Sequence, residues 1–358
     1  MTACDDCLRR AWLIAAIAGR LQVEFKRRSA PARVLALPDD ELLEIGAAAE
    51  IRRAYAGFDP PSARAAALAA GLVTVCGCRD TYPKPLRDLA DPPAVLHVLG
   101  DPGVLAPSDR VAVVGARRAS AYGLDVARAL GRGLSIAGVP VVSGLALGID
   151  SAAHAGALSG PGPAIGVLAG SADVPYPASG WRLHAAVASR GAVVSELPPG
   201  ARAHRWCFVA RNRIIAALAQ LTVVVQATDR SGSLTTADFA AELGRGVAAV
   251  PGVVTSRLST GVHQLIQAGA PLVCDAGEVL ELLAATTGAP FDPPQPVPPP
   301  DLAPDLTAVL AAVEDGRGTL SELATTPAEA RAALVGLGEL ERLGLVRRGF
   351  AGRWERAA

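Results

Sequence analysis

The sequence predicts an α/β protein built around a doubly wound parallel sheet, with a small helical domain before the sheet and a winged helix after it. Between about residues 70 and 285, short apolar runs alternate with stretches of helical periodicity, which is the rhythm of repeated strand–helix–strand units. The runs are continuously apolar, as expected for strands that are buried on both faces. Helical periodicity without this alternation dominates both ends of the chain.

The composition limits the class of protein. The chain has 358 residues, of which 51% are hydrophobic, and 34 Lys and Arg balance 34 Asp and Glu. This length is typical of about two or three domains, the apolar content excludes global disorder, and zero net charge excludes a uniformly basic binder but allows a local basic patch. Only Lys26 and Lys84 are lysines, so anions must be held by arginine or by backbone amides.

The sequence predicts neither a membrane span nor a secretory signal. It has no uncharged apolar run of about 18 residues. The short apolar stretch 11–18 follows Asp5 and Asp6, where a signal peptide would carry basic residues. We therefore expect a soluble cytoplasmic protein with no membrane partner.

Residues 1–65 predict the small helical domain. Leu8, Trp12 and Ala15 recur at helical spacing. Pro38 is followed by three acids, residues 39–41, which is typical of a helix start because acids stabilise the positive end of a helix.

Residues 66–287 predict the sheet domain. The six continuous apolar runs are 111–114, 140–142, 165–168, 192–194, 221–225 and 247–250. Helical stretches such as 122–137 and 212–220 lie between them, and two earlier extended pieces, 73–76 and 94–99, are candidate edge strands.

A linker and a second module follow. Residues 288–304 contain eight prolines, which predicts an extended spacer, with a docking site for a proline-binding module as the alternative. Residues 305–358 show two helical faces, then Gly344 as a helix stop and a predicted hairpin over 345–350 and 353–356. Helices followed by a hairpin predict a winged helix-turn-helix.

The residues that follow the strands are the candidates for ligand binding, because ligands of open parallel sheets lie beyond the carboxyl ends of the strands. Glycine allows close backbone approach there, and Ser or Thr caps the next helix, whose amides face an anion. The turns that follow the strands together predict a phosphate-binding rim at this edge of the sheet. The rim residues are Gly115, Arg117, Ser143, Gly144, Ser231, Gly232 and Ser233.

Two arginine-rich segments accompany this rim. The stretch between Glu196 and Asp229 contains four arginines and no acid, and residues 110–133 carry five arginines against one acid. Together they predict a basic groove, with solvated helix faces paired to acids elsewhere as the alternative. Four aromatic residues near these segments are candidates either for stacking on bases or for core packing: Trp206, Phe208, Tyr122 and Tyr176.

Arg211 and Arg213 are predicted to open the helix after the fourth of the six runs. Because they are two residues apart, they cannot share a helix face. We expect one to reach the rim and the other to pair with a carboxylate such as Glu196 or Asp150.

Enzyme signatures are weak. Neither G-x-G-x-x-G nor G-x-x-x-x-G-K-[ST] follows a strand, which argues against a dinucleotide enzyme and a P-loop NTPase. Asp150 and His154 are four apart and could form a base with its orienting partner, but a helix-start capping pair is the favoured interpretation. The motifs C-x-x-C at 4–7 and C-x-C at 76–78 allow a four-thiolate zinc site, but the second spacing is short for one, so four unrelated thiols are favoured. No catalytic residue, metal or cofactor is predicted.

Ordered motifs across residues 80–275 resemble the DNA-processing protein DprA (Smf) family. They include Tyr82-Pro83-x-x-Leu86, Asp91-Pro92-Pro93, Val113-Val114-Gly115-x-Arg117, Ser143-Gly144-Leu145-Ala146-x-Gly148-Ile149-Asp150, Phe208-x-x-Arg211-Asn212-Arg213 and Ser231-Gly232-Ser233-Leu234.

This resemblance implies an extended Rossmann-like domain that binds single-stranded DNA, forms a homodimer, and loads the recombinase RecA onto incoming strands in natural transformation. It implies that the DNA-binding surface includes Gly115 and Arg117, Ser143 and Gly144, and Arg211, Asn212 and Arg213. An N-terminal SAM-like helical domain and a C-terminal winged helix are common additions in the family.

The sequence departs from the family pattern at several rim positions. Leu147 stands where arginine is usual, Gln226 where an acid is usual, and Val209 where proline is usual, and the turn after the third run lacks one typical glycine. The alternative function is a nucleotide-binding protein, or a nucleotide-hydrolysing enzyme of a related Rossmann-like family. Hydrolases of that kind carry a motif similar to Pro-Gly-Gly-x-Gly-Thr-x-x-Glu. The comparable stretch 231–238 here lacks the glutamate.

Overall fold

The structure is a computed structural model that describes residues 2–28, 34–106, 108–288, 302–349 and 352–356. The chain divides into two compact units, Met1–Pro294 and Gln295–Ala358. Most of the predicted proline-rich linker lies outside the described residues. No helix in the described ranges is long and apolar enough to cross a membrane.

The first unit contains an eight-stranded sheet, which confirms the predicted α/β fold class. Its strands are β1 (Leu72–Cys76), β2 (Val95–Gly100), β3 (Val111–Val114), β4 (Val141–Ser143), β5 (Ala164–Val167), β6 (Ala192–Ser195), β7 (Leu221–Val224) and β8 (Gly246–Ala249). Their order is β1-β2-β6-β5-β4-β3-β7-β8. Strands β3 to β8 pair in parallel, whereas β1 and β2 form an antiparallel edge.

Helices cover both faces of this sheet. They are α6 (Ala121–Ile136), α7 (Ile149–Ala157), α8 (Trp181–Arg190), α9 (Arg205–Leu218), α10 (Leu234–Glu242), α11 (Thr260–Gln267) and α12 (Ala276–Thr287), numbered after the five N-terminal helices given below. Val111 and Val113 pack with α6 and α7 on one face, whereas Ala112 and Val114 pack with α9 on the other. The strands are therefore mainly apolar, because both of their faces are buried.

The segment before the sheet is helical, as the periodicity predicts. The helices described in it include α1 (Asp5–Ala16), α2 (Ala18–Arg28), α3 (Asp39–Gly46), α4 (Ala49–Ala56) and α5 (Pro60–Ala69). Helices α1 to α4 share an apolar cluster with α9, in which Trp206 donates its indole N–H to Ala18 O at 2.8 Å. The domain boundary at residue 65 stays a prediction.

The start of α9 differs from the prediction. The helix begins at Arg205, not at residue 212, because His204 caps it: the backbone N–H of His204 contacts the Cys207 Sγ at 3.4 Å. Histidine and cysteine are not among the usual capping residues, so the pattern did not mark this start. Arg211 and Arg213 consequently lie in the middle of α9 and do not open it.

Within its described residues, 302–349 and 352–356, the second unit contains three helices and a hairpin. The helices are α13 (Pro304–Glu314), α14 (Leu320–Leu323) and α15 (Pro327–Arg342), and β9 (Val346–Arg348) pairs antiparallel with β10 (Trp354–Arg356). Gly344 has φ +72° just after α15, as a helix stop requires. The order of helices and hairpin agrees with the expected one, and the winged-helix assignment itself stays a prediction.

Candidate functional site

The loops after β3, β4 and β7 are joined at the carboxyl edge of the sheet. Ala116 N donates to Gln226 O at 2.7 Å, and Ile149 N donates to Ala116 O at 3.2 Å. Gly148 has φ +82°, and a Cβ there would lie 2.3 Å from Ala116 O. Only glycine allows this approach, so Gly148 brings the loop after β4 against the loop after β3.

The side chain of Ser143 is structural. It is fully buried, and its Oγ donates to Val113 O at 2.7 Å, which joins β4 to β3. Next to it, the Gly144 amide donates to the Asp150 carboxylate at 3.1 Å. A Cβ at Gly144 would lie 1.7 Å from Arg211 Nη1. Gly144 therefore provides the space that Arg211 occupies.

Arg211 reaches this space from α9. Its Nη1 donates to Val167 O at 2.6 Å, at the end of β5. Burial lowers the pKa of Arg211 to about 10, while the nearby Asp150 acts in the opposite direction. The guanidinium therefore stays charged at neutral pH, and its charge lies between the ends of β4 and β5.

Arg213 is instead held by carboxylates. Its Nε donates to Asp91 Oδ2 at 2.9 Å, and its Nη1 and Nη2 donate to the two Glu196 oxygens at 2.9 and 2.8 Å. Backbone oxygens of Ala210 and Asp91 accept the remaining N–H groups. The predicted pairing of one arginine with Glu196 is thus found at Arg213, and its side chain, 2% exposed, has no free donor for a ligand.

At this buried ion pair, desolvation outweighs the attraction between the charges for Asp91 but not for Arg213. Burial raises the pKa of Asp91 to about 6, although the Arg213 guanidinium opposes the rise. The two carboxylates in turn raise the pKa of Arg213 above its usual value despite its burial. The group connects α9 to the segment that precedes β2.

Asn212 orients the serine-rich turn after β7. Its amide group donates to Gly232 O at 2.9 Å and to Thr235 Oγ1 at 2.8 Å. Within the turn, the hydroxyls of Ser231 and Ser233 lie 2.7 Å apart. The turn therefore presents small polar groups toward the side of α9 that carries Asn212.

An arginine and two aromatic rings lie in series at the mouth of the site. The guanidinium carbon of Arg117 lies 4.8 Å from the centre of the Phe208 ring, and that ring lies 5.2 Å from the ring of Tyr176. Arg117 is exposed, and Tyr176 is 49% exposed. This series offers a positive charge beside aromatic surface.

Two adjoining clefts open at this edge and share Arg117, Ala146, Phe208 and Arg211. The larger cleft, of about 190 Å³, is also lined by Gly115, Asp150, Asn212 and the turn 231–233. The smaller cleft, of about 90 Å³, is also lined by Gly144, Leu147, Tyr176 and Pro177. Eight of the ten predicted site residues line one or both clefts, whereas Ser143 and Arg213 line neither.

Asp150 and His154 do not form a base with its orienting partner. Asp150 accepts from the Gly144 amide, and His154 Nε2 contacts Ile165 O at 3.2 Å instead of Asp150. Burial raises the pKa of Asp150 and lowers that of His154 to about 4. The favoured interpretation of a helix-start capping pair is wrong as well, because the N-cap of α7 is Gly148 and no side chain caps this helix. The Asp150 carboxylate instead holds the loop before α7 through the Gly144 amide, while His154 links α7 to β5.

The aromatic candidates divide into two groups. Phe208 and Tyr176 line the clefts, whereas Trp206 is buried against α2, and the Tyr122 hydroxyl donates to Pro251 O at 2.8 Å. Composition alone could not separate them, because all four flank arginine-rich segments. The exposure of Tyr176 follows from its place in the long loop between β5 and α8.

Comparisons with known proteins agree with this architecture. The model of the family described as DNA recombination-mediator protein A matches residues 74–284. A DNA processing protein DprA of Mycobacterium tuberculosis is 43% identical over 241 residues, which is 66% of this chain and 62% of that protein. DprA of Bacillus subtilis is 37% identical over 238 residues, which is 66% of this chain and 80% of that protein. The match thus spans less than two thirds of the mycobacterial relative.

Two solved structures share the fold. DprA from Streptococcus pneumoniae has a TM-score of 0.63 at 32% identity and covers 78% of this chain and 98% of its own. DprA from Helicobacter pylori, whose structure is described as revealing a unique single-stranded DNA binding mode, has a TM-score of 0.55 at 28% identity. It covers 60% of this chain and 96% of its own.

Proposed function

This chain belongs to the DNA recombination-mediator protein A family, and from that premise we propose that it binds single-stranded DNA along the two clefts and loads the recombinase RecA onto incoming strands in natural transformation. The observation that carries the DNA-binding part is the series of Arg117, Phe208 and Tyr176 beside the buried charge of Arg211. Single-strand binding sites combine such positive charge with aromatic surfaces for unpaired bases.

Phosphates and bases have separate contacts in this proposal. Arg117 and the turn amides near Gly115 and Gly232 bind phosphates, and Phe208 and Tyr176 stack on bases. Because backbone amides and ring faces do not distinguish one base from another, the protein binds strands of any sequence. The relative from Helicobacter pylori, described as a single-strand binder, supports this assignment.

Three predicted contact residues have a positioning role in the proposal. Arg213 holds α9 through Asp91 and Glu196, Ser143 joins β4 to β3, and Asn212 fixes the serine-rich turn. The side-chain donors of each are engaged by protein, so each affects DNA through the residues that it orients. Arg211 combines the two roles, contact with DNA and positioning. It lines both clefts, although it is only 5% exposed.

The proposal includes no catalytic step. The Asp150 and His154 side chains bind backbone groups, and the stretch 231–238 lacks the glutamate of the related hydrolases. Incubation with nucleoside monophosphates should release no free base above the level of a blank. Release of base would favour the alternative, a nucleotide-hydrolysing enzyme. A thermal shift with mononucleotides but not with oligonucleotides would favour a nucleotide-binding protein.

Strand preference and salt dependence test the DNA-binding proposal. Fluorescence anisotropy should show tighter binding to a labelled thymidine oligonucleotide than to a duplex of equal length, and affinity should fall steeply as salt rises, because phosphate contacts release counterions. Equal affinity for duplex, or affinity independent of salt, would contradict the proposal.

Arg117→Ala tests the site within that assay. Loss of one phosphate contact should weaken binding to all sequences similarly and reduce the salt slope by about 1. Arg132→Ala is the matched control, because Arg132 is also exposed but lies near the end of α6, which runs from the carboxyl edge of the sheet toward the opposite edge. Equal losses in the two variants would refute the placement of the site.

Recombinase loading, assembly and location are separate parts of the proposal. RecA ATPase activity on strands coated with a single-strand-binding protein should rise when the chain is added and should rise less with Arg117→Ala. Light scattering should show a homodimer, and a monomer of 36.4 kDa at micromolar concentration would contradict this part. A mediator of this kind acts where RecA does, so we place the protein in the cytoplasm.

A further inference from the structure

Four cysteines that are far apart in sequence come together at the outer edge of the sheet. Cys4 caps α1 and Cys7 lies in its first turn, while Cys76 ends β1 and Cys78 follows in the next turn. The sequence favours four unrelated thiols, and this prediction is wrong, because the structure places the four cysteines next to one another. The fold brings residues 4–7 against residues 76–78 because α1 packs beside β1 and β2.

The sulfur positions suit a tetrahedral metal. The Sγ atoms of Cys4, Cys7 and Cys78 all lie within 4.8 Å of one another, and those of Cys7 and Cys78 are 3.5 Å apart. Four thiolates about 2.3 Å from one zinc ion have sulfur atoms about 3.8 Å apart. Cys76 adjoins this group, since its Sγ accepts the backbone N–H of Cys4 at 3.4 Å.

Contacts other than those of the sulfurs hold the two segments together. The Ala3 amide donates to Thr74 Oγ1 at 3.1 Å, and the Arg64 guanidinium donates to Ala3 O at 3.0 Å. Ala3 and Leu8 also pack with Cys76 in a small apolar cluster. The thiols are thus brought together by the fold, which reduces the cost of ordering ligands around an ion.

The donor set and its surroundings suit a soft or borderline ion. Cys4 and Cys7 form a C-x-x-C motif at the N-terminus of α1, a ligand spacing that is typical of structural zinc sites. The backbone N–H of Cys4 donates to Cys76 Sγ, and a hydrogen bond of this kind supports a metal ligand. Thiolate-only sets favour soft or borderline ions, and tetrahedral four-sulfur sites are typical of zinc.

We propose that Cys4, Cys7, Cys76 and Cys78 bind one zinc ion, which fastens the N-terminus of α1 to the end of β1. Each thiol loses its proton on binding, so the ion is held by four thiolates and no oxidation state changes. A site closed by four protein ligands is structural, with no open position for a substrate. The ion stabilises the contact between the helical segment and the edge of the sheet, away from the clefts at the ends of β3 to β5.

Metal content of the full chain tests this proposal. The protein is expressed in cells supplied with zinc and is purified with a thiol reductant and without chelators. It should contain one zinc per chain by inductively coupled plasma mass spectrometry. Cobalt in place of zinc should give the intense thiolate-to-metal charge-transfer absorption of a four-sulfur site. Absence of zinc together with absence of this absorption on cobalt titration would overturn the proposal.

Variants assign the ligands. Cys78→Ser should lose most of the zinc, and because Cys78 is exposed the variant should still fold, which circular dichroism checks. Cys274→Ser is the matched control, since Cys274 is also exposed but lies outside the cluster, and it should keep one zinc per chain. Full zinc content in Cys78→Ser, or a Cys7–Cys78 disulfide as the main form of the zinc-supplied protein, would overturn the proposal. Cys76→Ser should likewise lose zinc, and retention would remove Cys76 from the ligand set.

Discussion

Replacing Arg213 by alanine should destabilise the first unit much more than it alters DNA binding. The substitution leaves the carboxylates of Asp91 and Glu196 in a site where Arg213 and Asp91 are each 2% exposed and Glu196 is 10% exposed. Removal of one partner of a buried ion pair costs about 3–5 kcal/mol, because the remaining charge is neither hydrated nor paired. At about 2–4 °C per kcal/mol for a domain of this size, the melting temperature should fall by about 6–20 °C.

Scanning calorimetry is the suitable assay, because the chain has two compact units and a single optical probe would mix their transitions. Only the transition of the first unit should move. The loss should be smaller at pH 5 than at pH 8, since burial already raises the pKa of Asp91 to about 6 and a protonated carboxyl tolerates burial better.

A control removes the charge imbalance. The triple variant Arg213→Met, Asp91→Asn, Glu196→Gln leaves no unpaired charge and should recover part of the lost stability. Anisotropy at a temperature where all variants are folded should show a smaller loss of DNA affinity for Arg213→Ala than for Arg117→Ala. A change of less than about 1 kcal/mol in the unfolding free energy, or a loss of affinity as large as that of Arg117→Ala, would refute the assignment of Arg213 as a strut.

Three further outcomes follow from the same geometry. Burial lowers the pKa of His154 to about 4, below its usual value, so its contribution to stability is complete above pH 6.5 and is lost as pH falls toward 4. That contribution is about 3 kcal/mol. Urea titrations should therefore show that the free energy of unfolding falls less on acidification in His154→Gln than in wild type. Gly144→Ala should displace Arg211 and cost about 1–3 kcal/mol, and calorimetry that shows no loss would contradict the 1.7 Å contact. Phe208→Leu keeps the apolar bulk but removes the ring, and should weaken binding to single strands about 5- to 150-fold in anisotropy. Unchanged affinity would exclude stacking on Phe208.

The strands were predictable because each is defined by local chemistry. A strand buried on both faces needs mainly apolar residues, and the run 111–114 coincides with β3, while each of the other predicted runs differs from its strand by one residue at one or both ends. The clefts were predictable for a related reason. Loops at the carboxyl ends of neighbouring parallel strands must converge, so Gly115, Arg117 and the turn 231–233 could be grouped before any contact was known.

What each charged or reactive side chain touches depended on tertiary structure. The two-residue spacing of Arg211 and Arg213 requires different surroundings, but Asp91, which helps to bury Arg213, lies 122 residues away. The helix start at Arg205 depends on a His204–Cys207 cap that helix-capping statistics do not favour. The cysteines show the same limit, since Cys7 and Cys78 are 71 residues apart and meet only because α1 packs against the edge of the sheet. Local sequence patterns determine which face of an element is buried. Contacts between residues that are distant in sequence depend on how the elements pack, and a short stretch of sequence contains no information about that packing.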